Sequence, residues 1–105
     1  MKIAIALPAY DEEHNIKDSL LHVKQGIALL PEYDFKVFLV DDGSTDNTFS
    51  EVEKWHNTYR LPVILTKNPK NLGLVQTLKN MYKEILTQGF DYILRTDLDA
   101  DFNQQ

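Results

Sequence analysis

The stretch FKVFLVDDGSTDNT, residues 35–48, joins a continuous apolar run to an acidic turn and the start of a helix. An uninterrupted apolar run of this length is typical of a strand covered on both faces, as in a parallel sheet. Gly43 favours a turn after the strand, and Ser44 or Asp46 is a candidate helix cap. The stretch therefore predicts a buried strand that passes through a tight loop into a helix.

On either side of this strand-loop-helix stretch, short apolar runs alternate with segments whose apolar residues have helical spacing. We expect one domain over residues 1–105, with strands over residues 3–7, 35–40, 62–66 and 92–96. Helices are expected over about residues 16–30, 46–59 and 74–88, where apolar side chains recur every three or four positions. The β-α-β-α-β-α-β order predicts right-handed crossovers. The predicted fold is α/β: an open, mainly parallel sheet with helices on both faces, in strand order 3-2-1-4.

The composition restricts the classes of partner and site. The 105 residues carry a net charge of −5 and include no cysteine. A negative chain argues against nucleic acid as a partner, and the absence of thiols excludes disulfides and thiolate metal sites. No apolar stretch reaches the ~20 residues of a membrane-spanning helix, and no signal peptide is visible. A cytoplasmic location is the expectation, with membrane association left open for a longer protein.

Acidic residues are concentrated in three short clusters that follow the first, second and fourth predicted strands. The clusters are Asp11-Glu12-Glu13, then Asp41-Asp42 with Asp46, and finally Asp97, Asp99 and Asp101. In open α/β sheets, ligands bind outside the carboxyl ends of the strands, where the strand order reverses. With strands ~4.8 Å apart, the three loops would rim one pocket about 10 Å wide. This clustering predicts a cation site.

Asp41 and Asp42 are two adjacent carboxylates directly after a buried strand. Their mutual repulsion costs free energy unless a cation or a ligand offsets it. A carboxylate here is also able to accept a hydrogen bond from the imide N–H of uracil or the amino edge of another base. Turn chemistry accounts for Gly43 to Asp46, but not for the acidic pair.

The segment after the first strand reads PAYDEEHN, residues 8–15. One interpretation is a strand exit, a proline turn and an acidic first helical turn that complements the helix dipole. The other is a ligand contact, because an aromatic ring such as Tyr10 at a strand's carboxyl end stacks on a base for about 1–3 kcal/mol. Both interpretations stay open on these residues alone.

The segment before the third helix reads KNPKNLGL, residues 67–74. Asn71 is a candidate N-cap and Gly73 permits close packing, an explanation at least as good as a ligand contact. Lys67 and Lys70 are the clustered basic residues nearest the expected pocket, which gives only weak support to a phosphate contact.

The last segment carries alternating acids at the exit of the fourth strand. Side chains two positions apart lie on one side of a strand, so the oxygens of Asp99, Asp101 and Asn103 suit Mg²⁺ or Mn²⁺ bound together with phosphates. A calcium loop of the EF-hand type is the competing interpretation. It fails because Phe102 stands where that loop needs glycine.

Taken together, four blocks resemble the family-2 glycosyltransferases with the GT-A fold, most closely the polyprenyl-phosphate (dolichol-phosphate mannose synthase-like) sugar transferases. The blocks are PAYDEE at residues 8–13, VDDGSTDNT at 40–48, NLG at 71–73 and DADFN at 99–103. They occur in the family's order and spacing over essentially the whole chain. One departure is Asp11, where the family usually has a near-isosteric asparagine.

The resemblance implies a donor site for a nucleoside-diphosphate sugar. The implied nucleotide-binding residues are Pro8, Ala9, Tyr10, Glu12, Asp41, Asp42, Gly73 and Asp99. In this assignment Tyr10 lies against the base and Asp42 binds its edge. Mg²⁺ or Mn²⁺ would be held by Asp99, Asp101 and Asn103, whereas the role of Asp97 is open.

The resemblance also implies what this chain leaves out. The acceptor, for which the resemblance suggests polyprenyl phosphate, is normally bound by residues that follow the metal motif. We therefore expect no catalytic residue within the chain, no sugar transfer by it alone, and self-association through the open edge of the fourth strand.

Two other functions compete with the donor site. A nucleotidyltransferase favours a glycine-rich, basic loop after the first strand, and residues 8–13 are acidic. A non-catalytic metal- or phosphate-binding module of the receiver type needs its acidic pair after the first strand, and here the pair follows the second.

Overall fold

Strands and helices alternate throughout the described part of the chain. The computed structural model describes residues 1–96. In chain order the elements are β1 (Lys2–Ala9), α1 (Ile16–Ala28), β2 (Asp34–Asp41), α2 (Thr48–Tyr59), β3 (Val63–Lys67), α3 (Leu74–Leu86) and β4 (Tyr92–Arg95). The predicted α/β class and the order of elements are confirmed.

All four strands run parallel in one sheet, in the order β3-β2-β1-β4. This is the predicted order 3-2-1-4. The chain moves outward from β1 to β3 and then crosses back to place β4 on the other side of β1. The strand order therefore reverses at β1, and the crevice used for ligands in such sheets lies outside the carboxyl end of this strand.

The two central strands are buried because helices cover both faces of the sheet. On one face, Leu7 and Leu39 belong to a core with Ile16 and Leu20 of α1 and Val52 of α2. On the other face, the core is formed by Ala4, Ala6, Phe38, Met81 and Ile85. Successive residues of β1 thus contact different helices, which is why its apolar run is continuous. Each fully buried leucine or isoleucine contributes roughly 1.5–3 kcal/mol.

The observed element bounds differ by one or two residues from several predicted ones. α1 ends at Ala28 and α3 at Leu86, two residues before the predicted ends at 30 and 88. The predicted apolar stripe of α1 extended to Leu30, but Leu29 and Leu30 are 80% and 40% exposed past the end of the helix. α2 begins at Thr48 instead of residue 46, because the Asp46 carboxylate accepts the Thr48 N–H from outside the helix.

The outer strand β4 is less covered than the centre of the sheet. It pairs with β1, in register from Ile3↔Tyr92 to Ala6↔Arg95. Tyr92 is 56% exposed and Leu94 is 50% exposed, because the core under α1 and α2 includes residues of β1, β2 and β3 but none of β4 among those described. None of the described helices is long and apolar enough to cross a membrane.

Candidate functional site

The carboxyl ends of β1 and β2 lie side by side, and the predicted site residues follow them. Ala9 is paired with Asp41 in the sheet, and the N–H of Asp42 donates to the carbonyl of Ala9 at 2.7 Å. The N–H of Asn68, just past β3, donates to the carbonyl of Asp41 at 2.8 Å. The loops after β1, β2 and β3 therefore meet at one edge of the sheet.

Asp11 joins the loop after β1 to the loop after β2. Its backbone has φ 50°, a left-handed conformation that favours asparagine, aspartate and glycine. Its N–H donates to Ser44 Oγ at 2.9 Å, and its Oδ1 accepts the Thr45 N–H at 2.8 Å. Because Tyr10 directly precedes this turn, the two bonds also fix the direction in which the chain presents Tyr10. The Tyr10 side chain is 44% exposed.

A second pair of bonds joins the same loops one turn further along. The N–H of Glu12 donates to Thr48 Oγ1 at 2.8 Å, and the N–H of Glu13 donates to Asp46 Oδ2 at 3.3 Å. The other oxygen of Asp46 accepts the Thr48 hydroxyl at 2.5 Å. Burial raises the pKa of Asp46, but the bonds from Thr48 and Glu13 outweigh it and lower the pKa below its usual value.

The Asp41 carboxylate is buried and only half satisfied. The residue is 0% exposed, and its Oδ1 accepts the N–H of Ser44 at 3.0 Å and the hydroxyl of Ser44 at 2.5 Å. Its Oδ2 is buried and has no hydrogen-bond partner, the one such side-chain atom found within residues 1–96. Buried polar atoms are nearly always hydrogen-bonded, so an orphaned carboxylate oxygen indicates a donor that arrives with a ligand or with water.

Both oxygens of the neighbouring Asp42 carboxylate accept hydrogen bonds from the protein itself. It is 3% exposed. Its Oδ1 accepts Asn68 Nδ2 at 2.9 Å and the Leu72 N–H at 2.8 Å, and its Oδ2 accepts Asn71 Nδ2 at 3.2 Å and the Gly73 N–H at 3.0 Å. Burial raises the pKa of Asp42, but hydrogen bonds from Leu72, Asn68, Thr77 and Gly73 outweigh it and lower the pKa below its usual value.

This network corrects one expectation drawn from the sequence. The adjacent carboxylates were expected to need a ligand or cation to offset their repulsion. Four donors of the protein itself stabilise the charged form of Asp42, so its place in the acidic pair has a structural explanation. Asp41 is then the carboxylate that retains a free acceptor oxygen.

Two glycines with positive φ lie in the loops that form this network. Gly43 has φ 69°, and a Cβ there would lie 2.4 Å from the carbonyl carbon of Lys70 and 2.5 Å from the nitrogen of Asn71. Gly73 has φ 90° and is the N-cap of α3, so Asn71 is not the cap that the sequence allowed. Asn71 donates to Asp42 instead.

The remaining predicted site residues are spread between buried backbone and exposed loop. Pro8 and Ala9 are the last two residues of β1 and are buried. Glu12 is half-buried, and the Nδ2 of Asn15 donates to Glu12 Oε2 at 2.7 Å. The predicted metal ligands Asp99, Asp101 and Asn103 lie outside the described residues, as does Asp97. Within residues 1–96, no group of three His, Asp or Glu side chains is placed to hold a metal ion.

Sequence reasoning did not identify Asn68 or the part played by Ser44, Thr45 and Thr48. These residues hold the acidic loops together rather than face a ligand. The available signal was position: Asn68 follows β3 directly, and therefore had to lie at the same edge as Asp41 and Asp42.

The comparisons with known proteins agree with this fold and edge. A family model described as Glycosyl transferase family 2 matches residues 4–105. The chain is 31% identical over 90 residues to the uncharacterized glycosyltransferase YfnE of Bacillus subtilis, and 25% identical over 84 residues to dolichol-phosphate mannosyltransferase of Pyrococcus furiosus. These matches cover 82% and 80% of this chain but 22% of each relative. The chain thus spans less than a quarter of the length of these relatives.

Two solved structures share the architecture. Staphylococcus aureus TarS in complex with UDP superposes with a TM-score of 0.73 at 30% identity, covering 94% of this chain and 28% of that one. The mannosyltransferase PcManGT from Pyrobaculum calidifontis, in complex with GDP-Man and Mn²⁺, has a TM-score of 0.73 at 24% identity and covers 92% of this chain and 27% of that one. The second likeness shows the fold alone.

Proposed function

The chain belongs to glycosyl transferase family 2, and on that premise we propose that it binds a nucleoside-diphosphate sugar together with a divalent metal. It would form the donor-binding part of a glycosyltransferase. The carboxyl edge of the sheet, where the loops after β1, β2 and β3 meet, is the proposed binding site.

The unpartnered Oδ2 of Asp41 is the observation that carries this proposal. It is a buried carboxylate oxygen at the carboxyl end of β2, and it needs an N–H donor. The imide N–H of uracil is such a donor, and so is the N1–H edge of guanine. The solved TarS complex holds UDP, so a uridine nucleotide is the first ligand to test.

Tyr10 is the second proposed contact with the base. It directly follows β1 and precedes the turn at Asp11, and its side chain is 44% exposed. The bonds of Asp11 to Ser44 and Thr45 fix the backbone next to it. We propose that a base stacks on this ring while its edge meets Asp41. The backbone of Pro8 and Ala9, the Glu12 side chain and Gly73 remain proposed contacts around it.

The metal is proposed on the chemistry of its donor set. The candidate ligands Asp99, Asp101 and Asn103 offer only oxygen, which suits Mg²⁺ or Mn²⁺. No lysine or arginine of residues 1–96 forms an ion pair with Asp41, Asp42 or Asp46, so these carboxylates are not neutralised by a basic side chain of the described part. When bound, a divalent ion would neutralise the diphosphate, which this edge would otherwise repel.

The β1–α1 loop argues against a phosphate-cradling loop of the nucleotidyltransferase kind. Its backbone N–H groups at Asp11, Glu12 and Glu13 donate to side chains of the loop after β2. They are therefore not free to bind phosphate oxygens.

Calorimetry with UDP and GDP in the presence of Mn²⁺ tests the proposal, with Asp41→Asn as the variant. Asparagine keeps the shape but replaces one acceptor oxygen with a donor, so we expect weaker binding of the preferred nucleotide and a changed ratio of the two affinities. Leu29→Ala on exposed α1 surface serves as the matched control. Wild-type protein that binds neither nucleotide with metal present would refute the donor site.

Sugar transfer and its acceptor are further proposals. The matches cover only 22% of the length of each of these relatives. We expect the 105 residues to bind donor without transferring sugar, and a polyprenyl phosphate acceptor remains a prediction from the resemblance.

A further inference from the structure

Asp42 has no acceptor capacity left for a ligand. A carboxylate offers about four lone-pair sites, and each oxygen of Asp42 already accepts two hydrogen bonds of 2.8–3.2 Å. A base that reached Asp42 would have to displace a donor of the protein itself.

All four of those donors belong to one short loop, residues 68–73. Asn68 and Asn71 give side-chain amides, and Leu72 and Gly73 give backbone N–H groups immediately before α3. Gly73, the N-cap of α3, has no side-chain cap of its own. Asp42, which directly follows β2, therefore accepts the N–H groups of the two residues that lead into α3.

The same loop lies in close contact with the turn that carries Asp41. The backbone of Lys70 and Asn71 approaches Gly43 so closely that any Cβ there would overlap it at 2.4–2.5 Å. The Asn68 N–H is bonded to the carbonyl of Asp41 at 2.8 Å. The position of the 68–73 loop is thus set relative to the orphaned carboxylate, and Asp42 holds it there.

We infer that Asp42 is a positioning residue: it does not touch the nucleotide but fixes the 68–73 loop as a wall of the nucleotide site beside Asp41. The inference rests on the proposed function for the ligand that the wall faces. The two adjacent carboxylates then have different roles. One oxygen of Asp41 remains free to accept a hydrogen bond from the ligand, whereas both oxygens of Asp42 accept hydrogen bonds from the loop.

The position of Asp42 also affects where the phosphates of a nucleotide bind. A helix N-terminus attracts anions through its free N–H groups and its dipole. The Asp42 carboxylate accepts the N–H groups of Leu72 and Gly73, so its negative charge lies next to the start of α3. This charge opposes a second anion there, so we expect the diphosphate to depend on the metal.

Two measurements on Asp42→Asn test the inference together. The first is amide hydrogen exchange of Leu72 and Gly73 by NMR in nucleotide-free protein. The second is the affinity for UDP and for GDP with Mn²⁺. Asparagine turns one acceptor oxygen into a donor that faces the loop's own donors, so exchange at one or both amides should speed up about tenfold or more, as expected for the loss of a hydrogen bond to a charged group.

The two affinities should fall together, with the ratio of UDP to GDP affinity changed less than about twofold, because the wall supports every base alike. Asp41→Asn gives the contrasting pattern: the ratio changes, and the exchange of Leu72 and Gly73 does not. Asn71→Ala, which removes one exposed amide donor, should weaken both nucleotides in the same direction as Asp42→Asn but less. It takes the place of Asp42→Asn if that variant does not fold.

A changed UDP to GDP ratio with intact amide protection would show that Asp42 touches the base, and the inference would be wrong. Faster exchange with unchanged affinities would show that the 68–73 loop is no wall of the site, and this also overturns it. If the wild-type chain binds neither nucleotide, the proposed function fails and the site wall with it. The exchange data then still decide whether Asp42 holds the loop.

Discussion

The backbone N–H of Thr45 donates a 2.8 Å hydrogen bond to the carboxylate of Asp11, and this bond ties the loop after β2 to the loop after β1. The Thr45 hydroxyl lies 3.3 and 3.4 Å from the two Asp11 oxygens. Asp11 receives this bond in a left-handed backbone conformation at φ 50°. One side chain therefore serves both as the turn residue and as the link between two site loops.

Asp11→Ala should destabilise the protein by about 1–3 kcal/mol, because it loses the bond to Thr45 and places alanine at a positive φ. Asp11→Asn should be close to wild type, since asparagine keeps an acceptor oxygen and tolerates this conformation. Urea denaturation of the three proteins compares their free energies of unfolding. Equal stability of the alanine and asparagine variants would contradict the role of the Thr45 bond.

The pH dependence of stability should show the bonds to Asp42 and Asp46. Their pKa values are lowered in the folded state, so the stability they add is complete above the usual carboxyl pKa of about 4 and is lost as pH falls through the lowered values. Unfolding free energies measured from pH 6 down to pH 2.5 should decline over that range. Asp42→Asn should decline less steeply, because it removes one of the titrating groups. Parallel curves for the two proteins would count against this account.

The fold could be predicted from the sequence because its evidence is local. The run at residues 3–7 is apolar throughout and the run at 35–40 is interrupted only by Lys36, since both faces of β1 and β2 are covered. Helix periodicity shows which side of each helix is buried. The rule that ligands bind at the carboxyl ends of the strands then predicts that Tyr10, Asp41 and Asp42 lie at one edge.

The division between Asp41 and Asp42 could not be predicted, because the donors to Asp42 lie 26 to 31 positions further along the chain. The sequence shows two adjacent acids and predicts repulsion. Only the structure shows that Gly43 lets the 68–73 loop approach and bring its N–H groups to one of them. That Asp42 binds the base edge stays a prediction from the sequence, and the hydrogen-bonding pattern favours Asp41 for that contact.

Tyr10→Ala should weaken nucleotide binding by about 1–3 kcal/mol through the loss of stacking. Tyr10→Phe keeps the ring and serves as the control, so its affinity should stay near that of wild type. Calorimetry with UDP and Mn²⁺ measures both. Because the Tyr10 side chain is 44% exposed and belongs to neither apolar core, its replacement should change the melting temperature little. Wild-type affinity in the alanine variant would exclude stacking on this ring.

Nucleotide binding should depend on a divalent metal, with Mg²⁺ or Mn²⁺ preferred over Zn²⁺ because the candidate ligands are all oxygens. The double change Asp99→Ala with Asp101→Ala should abolish the dependence. Asp18→Ala with Glu53→Ala, on exposed surfaces of α1 and α2, changes the net charge equally and should preserve it. Titration of UDP with and without a chelator measures the effect. Equal wild-type affinity in both conditions would remove the metal from the site.

The exposed side of β4 predicts self-association of the chain. Within the described residues, β4 pairs with β1 alone, and Tyr92 and Leu94 are 56% and 50% exposed on the face that α1 and α2 leave bare. A strand edge with unpaired N–H and C=O groups beside an apolar surface tends to recruit a second chain, and a charged residue there opposes it. Leu94→Lys should therefore lower the apparent mass in sedimentation at increasing protein concentration. Leu29→Lys places the same charge on a residue that is 80% exposed at the end of α1, away from this edge, and should leave the mass unchanged. A wild-type chain that stays monomeric at every concentration would show that this edge does not recruit a second copy.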